Sequence, residues 1–366
     1  MPRNSRRRFL AQSAALGIMS LGGGLSLVGP RRLSAQENDA ARSSEVVTPE
    51  VQKAVERGLS WLAKRQQAGG QYEGAFGVGG YQGGVAVCSL SGLAFMCSGS
   101  PPGQGPYGKL IDKCVKYITK CVQDSGYISA PGFGQDNMYG HGFATLFLSE
   151  VFGMSDRDDI DATVGDKLRQ AVKLTCSCQN EAGGWRYQPI KQDADLSITI
   201  CNIMGLRAAR DAGIHVPDEV RAKCIDYVKK SQSSDGSFRY QISGGGTGTF
   251  PLTAAGVVSL YSAGIYDSPE VKKALDWLMR YLPGSTQGNA GYHGYFFYGQ
   301  YYAVQAMWHA GGDYWKKWYP AIREVLLKKQ NGDGSFADSE VCAEFGTAMA
   351  CIILQMPNNY LPVFTP

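Results

Sequence analysis

The sequence predicts an all-α protein, an (α/α)6 toroid in which six helical hairpins form an inner and an outer layer of helices. A short phrase of glutamine, glycine and an aromatic residue recurs, an amphipathic helix precedes each copy, and an apolar helix rich in small residues follows it. A phrase that recurs at a long, regular interval is typical of repeat architectures. The copies are Gln66, Gly70 and Tyr72; Gln123, Gly126 and Tyr127; Gln179, Gly183 and Trp185; Gln232, Gly236 and Phe238; and Gln330, Gly334 and Phe336.

The helices before the phrases have one polar face. In the fourth repeat Val220, Cys224, Tyr227 and Val228 recur with the helical period, while charged residues take the opposite face. Such helices are expected in the outer layer. The helices after the phrases are apolar nearly all round, as buried inner helices are. They are predicted over residues 84–97, 139–152, 197–209, 253–263, 301–310 and 346–354.

The spacing of the phrases supplies a sixth repeat. Successive glutamines lie 53 to 57 residues apart as far as Gln232, and the gap to Gln330 is about twice as long. Trp277 and Gly291-Tyr292 mark a degenerate copy within that gap. Six hairpins that each bury one face against the next are expected to close into a ring, and an open solenoid is the alternative.

The beginning of the chain has the features of a twin-arginine signal peptide. Residues 5–10 read SRRRFL, an apolar run follows over residues 11–28, and a small residue lies at the expected cleavage point. The sequence therefore predicts export to the periplasm or another extracytoplasmic space, with no transmembrane span in the mature protein. The predicted divisions are the signal peptide 1–36, a linker 37–47, the toroid 48–356 and a C-terminal tail 357–366.

Charge and cysteine content narrow the function classes. The chain has 36 Lys+Arg and 32 Asp+Glu, but six of the basic residues and none of the acidic ones lie in residues 1–36. The remainder is nearly neutral, so no basic stripe suited to nucleic acid is left. Ten cysteines permit disulfides after export, yet most lie within apolar helical patterns, so small buried thiols are expected.

The repeated phrase resembles the QW motif of triterpene cyclases, and the hairpin pattern resembles the wider terpenoid cyclase and protein prenyltransferase toroid family, with its prenyltransferase/squalene oxidase repeats. The resemblance covers roughly residues 48–355. Because the QW motif is structural in that family, the resemblance implies the fold, and the reaction has to be argued from the site. It also implies a central cavity whose mouth is surrounded by the N-terminal ends of the inner helices.

Two carboxylates lie just before the third inner helix. Asp193 and Asp195 are separated by one residue, and like charges held close raise one pKa, which keeps an acid protonated. The segment is similar to the D-x-D-D-T motif of squalene–hopene cyclases, which implies that Asp195 protonates an alkene and that Asp193 is its partner. Leu196 stands where that family has a third aspartate. The alternative is that Asp195 is the N-cap of the helix.

Histidine and aromatic residues complete the predicted site. His141, at the mouth of the second inner helix, is a candidate general acid or base, and a hydrogen-bonded packing role is the alternative. Aromatic faces can stabilise carbocations by cation–π attraction, and the same faces can stack on sugars or line a lipid pocket. The predicted substrate-binding residues are Tyr139, Trp185, Tyr187, Tyr292, His293, Tyr298 and Tyr302. Glu340-Val341-Cys342 is too small a ligand set for zinc, so no metal and no cofactor are expected.

These observations favour three functions. The first is an exported isoprenoid cyclase-like enzyme that uses an Asp acid in an apolar central cavity, with an isoprenoid or other apolar small molecule as its ligand. The second is a non-catalytic toroid module that binds a lipid or a protein. The third is a polysaccharide lyase or hydrolase with Asp193, Asp195 or His141 as acid and base. The sequence leaves the choice between an enzyme and a binding module open.

Overall fold

The computed structural model describes residues 47–131, 137–155, 157–243, 248–291 and 294–365, so the predicted signal peptide lies outside the described residues. The outer layer consists of α1 (Pro49–Arg65), α3 (Gly108–Lys120), α5 (Asp158–Ser177), α7 (Asp218–Lys230), α9 (Pro269–Leu278) and α12 (Gly312–Lys329). The inner layer consists of α2 (Val85–Met96), α4 (Met138–Val151), α6 (Leu196–Asp211), α8 (Phe250–Ser262), α11 (Phe296–Ala310) and α13 (Ala343–Gln355). A short helix, α10 (Thr286–Gly291), precedes α11.

The twelve long helices form a closed ring of two layers. Each inner helix contacts the next one along the chain, and α13 returns to contact α2. The outer helices α12 and α1 also contact each other, so the last and first hairpins meet at a seam that closes the ring. The (α/α)6 toroid is therefore confirmed, and the open solenoid is not the fold. In the part of the chain that the structure describes, no helix is both long enough and apolar enough to cross a membrane.

The glutamine of the phrase ties neighbouring hairpins together. Gln179 Nε2 donates to the carbonyl oxygen of Gly183 in its own loop and to that of Val220 in the next outer helix, both at 2.8 Å. Gln330 makes the equivalent pair of bonds and reaches Ala54 in α1, across the seam. The amide thus bonds to a loop carbonyl and a helix carbonyl at once. In the last copy these bonds link the last hairpin to the first.

The first copy of the phrase has a different register from the predicted one. Gln66 Nε2 donates to the carbonyl oxygen of Gly74 at 3.0 Å, and Gly74 is the glycine whose missing Cβ leaves room for the backbone of the next outer helix. The buried aromatic residue two positions later is Phe76. Gly74 and Phe76 therefore take the places assigned to Gly70 and Tyr72, because four extra residues enlarge this loop.

The second copy also departs from the phrase. The residue that is fully buried two positions after Gly126 is Ile128, whereas the adjacent Tyr127 is only partly buried. Gln123 Nε2 donates to Ser129 Oγ at 2.8 Å. The position two residues after the phrase glycine therefore accepts an aliphatic side chain, because it requires a buried apolar group between hairpins and not an aromatic ring.

The C-terminal tail packs across the C-terminal ends of two inner helices. Arg207 Nη2 at the end of α6 donates to the carbonyl oxygen of Thr365 at 2.9 Å, and Trp308 Nε1 at the end of α11 donates to that of Phe364 at 2.9 Å. Phe364 itself is buried. All ten cysteines fall within the described ranges, and nine of them are buried, as the apolar helical patterns predict.

Candidate functional site

A cavity of about 1140 Å³ opens where the N-terminal ends of the inner helices converge. Residues at or just before the start of all six inner helices contribute to its wall, among them Gly84, Asn137, Ser197, Thr249, Tyr295 and Val341. The rest of the wall is largely aromatic. The volume slightly exceeds the roughly 300–1,000 Å³ of most small-molecule sites, so the cavity can hold a large or elongated apolar molecule.

Asp195 lies directly behind this wall and caps helix α6. Its side chain is fully buried. Oδ1 accepts hydrogen bonds from Ile198 N at 2.9 Å and from Ser197 Oγ at 2.6 Å, and Oδ2 accepts one from the Tyr240 hydroxyl at 3.1 Å. Its backbone N donates to the carbonyl oxygen of Trp185, the aromatic residue of the third phrase, at 3.0 Å. Asp195 is therefore the predicted N-cap, and it also touches two hydroxyl groups of the cavity wall.

Arg186 joins the two aspartates. Its guanidinium forms an ion pair with Asp193, and its Nε lies 3.8 Å from Asp195 Oδ2. The Asp193 side chain is 54% exposed and also accepts a hydrogen bond from Gln241 Nε2 at 3.2 Å. Asp193 thus holds Arg186 beside the buried carboxyl group, from a position outside the cavity wall.

Hydroxyl groups connect Asp195 to four tyrosines that line the cavity. The Tyr139 hydroxyl donates to Ser197 Oγ at 2.5 Å, and the Tyr298 hydroxyl donates to the Ser197 carbonyl oxygen at 3.0 Å. On the other side of the carboxyl group, the hydroxyls of Tyr187 and Tyr240 are 2.6 Å apart. The carboxyl group is therefore the centre of a hydroxyl network that ends at the cavity.

Burial is the largest influence on the pKa values of the groups in this network. It raises the pKa of Asp195, and this effect outweighs the hydrogen bonds from Ser197, Ile198 and Tyr240 and the charge of Arg186, all of which favour the carboxylate. Burial also raises the pKa of Tyr139 and Tyr240. The phenols are consequently neutral hydroxyl donors at physiological pH, and the carboxyl group holds its proton to a higher pH than an ordinary aspartate does.

Three predicted site residues lie in the packed interior and not at the cavity wall. His141 is fully buried, accepts a backbone N–H at Nδ1 and lies 2.8 Å from Thr175 Oγ1 through Nε2. Burial lowers the pKa of His141 to about 4, so the ring is neutral at pH 7. Trp185 Nε1 donates to the Thr175 carbonyl oxygen, and the Tyr302 hydroxyl meets a buried thiol. The alternative packing role of His141 fits this environment.

The other predicted substrate-binding residues divide into two groups. Tyr139, Tyr187 and Tyr298 line the cavity. Tyr292 and His293 lie outside the described residues.

Several wall residues were not predicted from the sequence as binding residues. Phe250, Trp277, Arg280 and Glu340 all line the cavity, and the last two bring charge to its exposed rim. Arg280 follows outer helix α9, at the position where the phrase would begin in a regular repeat. Because the degenerate repeat lacks the glutamine, the sequence does not mark where this loop begins.

The residues considered for zinc form a different arrangement. Cys342 is the N-cap of α13, and burial raises the pKa of its thiol to about 12. Within the described ranges, no group of three or more His, Cys, Asp or Glu side chains is placed to hold a metal ion.

The ring of hairpins, with a cavity at its mouth, is an α-α toroid similar in fold to those of terpenoid cyclases and prenyltransferases. The model of the prenyltransferase alpha-alpha toroid domain matches residues 156–286, which span α5 to the start of α10. No curated protein matches the sequence significantly.

Solved structures share this fold at low sequence identity. The type II terpene cyclase MstE from Scytonema is 14% identical with a TM-score of 0.55, and the match covers 85% of this chain and 99% of MstE. A variant of MstE in complex with its substrate, geranylgeranyl dihydroxybenzoate, gives a TM-score of 0.57 at 14% identity over 85% of this chain and 98% of that one. Cellobiose 2-epimerase from Bacillus thermoamylovorans is 12% identical with a TM-score of 0.53, over 75% of this chain and 87% of the epimerase.

Proposed function

We propose that the protein binds an elongated apolar isoprenoid in its central cavity and converts it by acid-initiated, cyclase-like chemistry. The observation that carries this proposal is the aromatic cavity of about 1140 Å³ with a buried carboxyl group hydrogen-bonded to its wall. The fold neighbour MstE has geranylgeranyl dihydroxybenzoate as its substrate, and that molecule supports an isoprenoid as the class of ligand.

The chemistry follows from the environment of the carboxyl group. Burial raises the pKa of Asp195, which favours its protonated form, and in this proposal Asp195 supplies that proton to an alkene of the bound isoprenoid. The resulting carbocation is attracted to aromatic faces such as those of Phe250, Trp277 and Tyr281. The apolar wall limits access of water to the cation, so an internal alkene captures it and a ring forms. Loss of a proton then gives a cyclic isomer of the substrate.

The test is incubation of the purified protein with squalene and with geranylgeraniol, followed by gas chromatography and mass spectrometry. We expect a product of unchanged mass and shorter retention from at least one substrate. Asp195→Asn keeps a capping side chain but has no acidic proton, so product formation is expected to fall by a factor of about 100 or more. The exposed Asp218→Asn is the matched control. Absence of product with the unaltered protein, or an unchanged rate in Asp195→Asn, contradicts the proposal.

A second candidate function is a non-catalytic carrier for the same class of molecule. It is favoured by the position of Asp195, which caps α6 and does not itself line the cavity. A carrier is expected to co-purify with an apolar lipid, visible by native mass spectrometry, and to release that lipid unchanged. A cyclised product excludes a purely passive role.

A glycan-cleaving function has weaker support from the same wall. Glycoside hydrolases use two carboxyl groups that flank the scissile bond. Among the described residues that line the cavity, Glu340 supplies the one carboxylate.

Export through the twin-arginine route remains a proposal that rests on residues 5–10. Cell fractionation of the protein and of a double Arg6→Lys, Arg7→Lys variant tests it. Equal amounts of both in the extracytoplasmic fraction would contradict this route.

A further inference from the structure

We propose that Tyr240 passes the proton of Asp195 to the bound isoprenoid, so that the acid acts through a relay of one hydroxyl group. This inference rests on the proposed function and concerns the route of the proton. Asp195 is fully buried and lies behind the wall, whereas Tyr240 lines the cavity and is 36% exposed. The Tyr240 hydroxyl oxygen lies 3.1 Å from Asp195 Oδ2. When Asp195 carries its proton, the Oδ2–H group donates to this oxygen, and the Tyr240 O–H is then available to the cavity. The Tyr240 hydroxyl is therefore in contact with the acid on one side and with the cavity on the other.

Ser197 is the competing route, because its hydroxyl also contacts Asp195 and it also lines the cavity. Its Oγ is less accessible, however, because Ser197 is only 6% exposed whereas Tyr240 is 36% exposed, and Oγ is held between Asp195 Oδ1 at 2.6 Å and the Tyr139 hydroxyl at 2.5 Å. An alkyl alcohol is also a weaker acid than a phenol, whose ordinary pKa is about 10. The phenol of Tyr240 is thus the better carrier.

The surroundings hold the Tyr240 hydroxyl in place. The backbone N of Leu196, the first residue of α6, donates to the Tyr240 carbonyl oxygen at 2.9 Å, which fixes the loop against the helix that Asp195 caps. The Tyr187 hydroxyl lies 2.6 Å from that of Tyr240 and supports it from the cavity side. Tyr187 is therefore a positioning residue in this scheme.

The proton transfer balances without any co-reactant. The alkene π electrons take the proton of the Tyr240 O–H group, and a C–H bond forms as a carbocation is left behind. In the same step the Tyr240 oxygen takes the proton of the Asp195 carboxyl group. The resulting carboxylate is stabilised by the Ile198 N–H, the Ser197 hydroxyl and Arg186. After ring closure the product loses one proton to solvent, and solvent reprotonates Asp195.

The first experiment compares Tyr240→Phe with Tyr314→Phe. Both changes remove a tyrosine hydroxyl that bonds to an aspartate, but the Tyr314 hydroxyl bonds to Asp276 at 2.6 Å on the outer layer, away from the cavity. We expect Tyr240→Phe to lower kcat for squalene or geranylgeraniol by a factor of about 100 and to leave KM within about threefold. Tyr314→Phe is expected to retain the kcat of the unaltered protein.

A rescue experiment separates a lost proton carrier from a disturbed fold. Tyr240→Ala leaves space for a small phenol, so addition of 4-methylphenol is expected to restore part of its kcat, while anisole, which has no hydroxyl proton, restores none. If the unaltered protein forms no product, the proposed function fails. If the unaltered protein turns over and Tyr240→Phe matches its kcat, the relay alone is wrong, as it is if Ser197→Ala and not Tyr240→Phe removes the activity.

Discussion

Gly183 has a backbone that no other residue can adopt without strain. Its φ is +100°, in the left-handed region, and a Cβ at this position would stand against the carbonyl oxygen of Lys223 in the next outer helix. Gly213 has a similar φ of +89° but has open space where its Cβ would be. The two glycines therefore separate the cost of the backbone conformation from the cost of the contact.

We expect Gly183→Ala to lower the free energy of unfolding by about 3 kcal/mol, because strain and a backbone clash add. Gly213→Ala is expected to cost about 1 kcal/mol from the conformation alone. Urea unfolding of the two variants measures both values. Equal losses would show that the phrase glycine is required only for its φ, and not for close packing of hairpins.

His141 predicts how stability depends on pH. Its folded pKa of about 4 lies below the unfolded value of about 6.5, so both states are neutral above pH 6.5 and only the unfolded state gains a proton as the pH falls towards 4. Stability is consequently lost over that window. Between pH 7 and pH 4.5 we expect His141→Asn to lose about 2 kcal/mol less in urea unfolding than the unaltered protein. An identical loss in both proteins would contradict the buried neutral ring.

At the scale of the element, the first turn of α6 combines a structural and a chemical role in one residue. Asp195 caps the helix by accepting the Ile198 N–H at Oδ1, and its Oδ2 lies within reach of the Tyr240 hydroxyl and near Arg186. Asparagine caps as well as aspartate does, whereas alanine does not. The two substitutions therefore distinguish the cap from the acid.

Thermal or urea unfolding is expected to show Asp195→Asn within about 1 kcal/mol of the unaltered protein. Asp195→Ala is expected to lose about 3 kcal/mol, since it removes the cap and leaves the buried Ser197 hydroxyl and the Ile198 N–H without their acceptor. A large loss in Asp195→Asn would mean that the negative charge itself stabilises the helix start.

The helices could be predicted from the sequence because their signals are local. The 3.6-residue period of α7 and the small apolar residues of α6 each lie within one segment. The structure has a helix at both places, and α6 lies close to its predicted bounds. The register of the first phrase could not be predicted, since the choice between Gly70 and Gly74 depends on which glycine meets the next hairpin.

The candidate site could be predicted only in part for the same reason. Asp195 was found from its place at a helix start. Its partners Arg186 and Tyr240 come from two different loops, 9 residues before and 45 residues after it, and nothing in their local sequence indicates that they meet. Packing of the third hairpin against the fourth brings them together.

For the whole molecule, the seam between the last and first hairpins predicts cooperative unfolding. Gln330→Ala removes the bonds to Gly334 and Ala54 at the seam, and Gln232→Ala removes the equivalent pair within the ring. If the closed ring unfolds as one unit, both variants lose about 2 kcal/mol with an unchanged urea m-value. A second transition in Gln330→Ala alone would show that the ring opens at its seam as an open repeat array does.

The positions of the start of α1 and of the C-terminal tail determine which face of the molecule lies next to a surface to which it is attached. α1 ends at the mouth, next to the loop that leads into Gly84, so its first residue, Pro49, lies about 25 Å away on the opposite face. Thr365 lies on that face too, against Arg207 at the far end of α6. Attachment to a surface such as a sensor chip through either end of the described chain therefore leaves the cavity mouth on the side away from that surface.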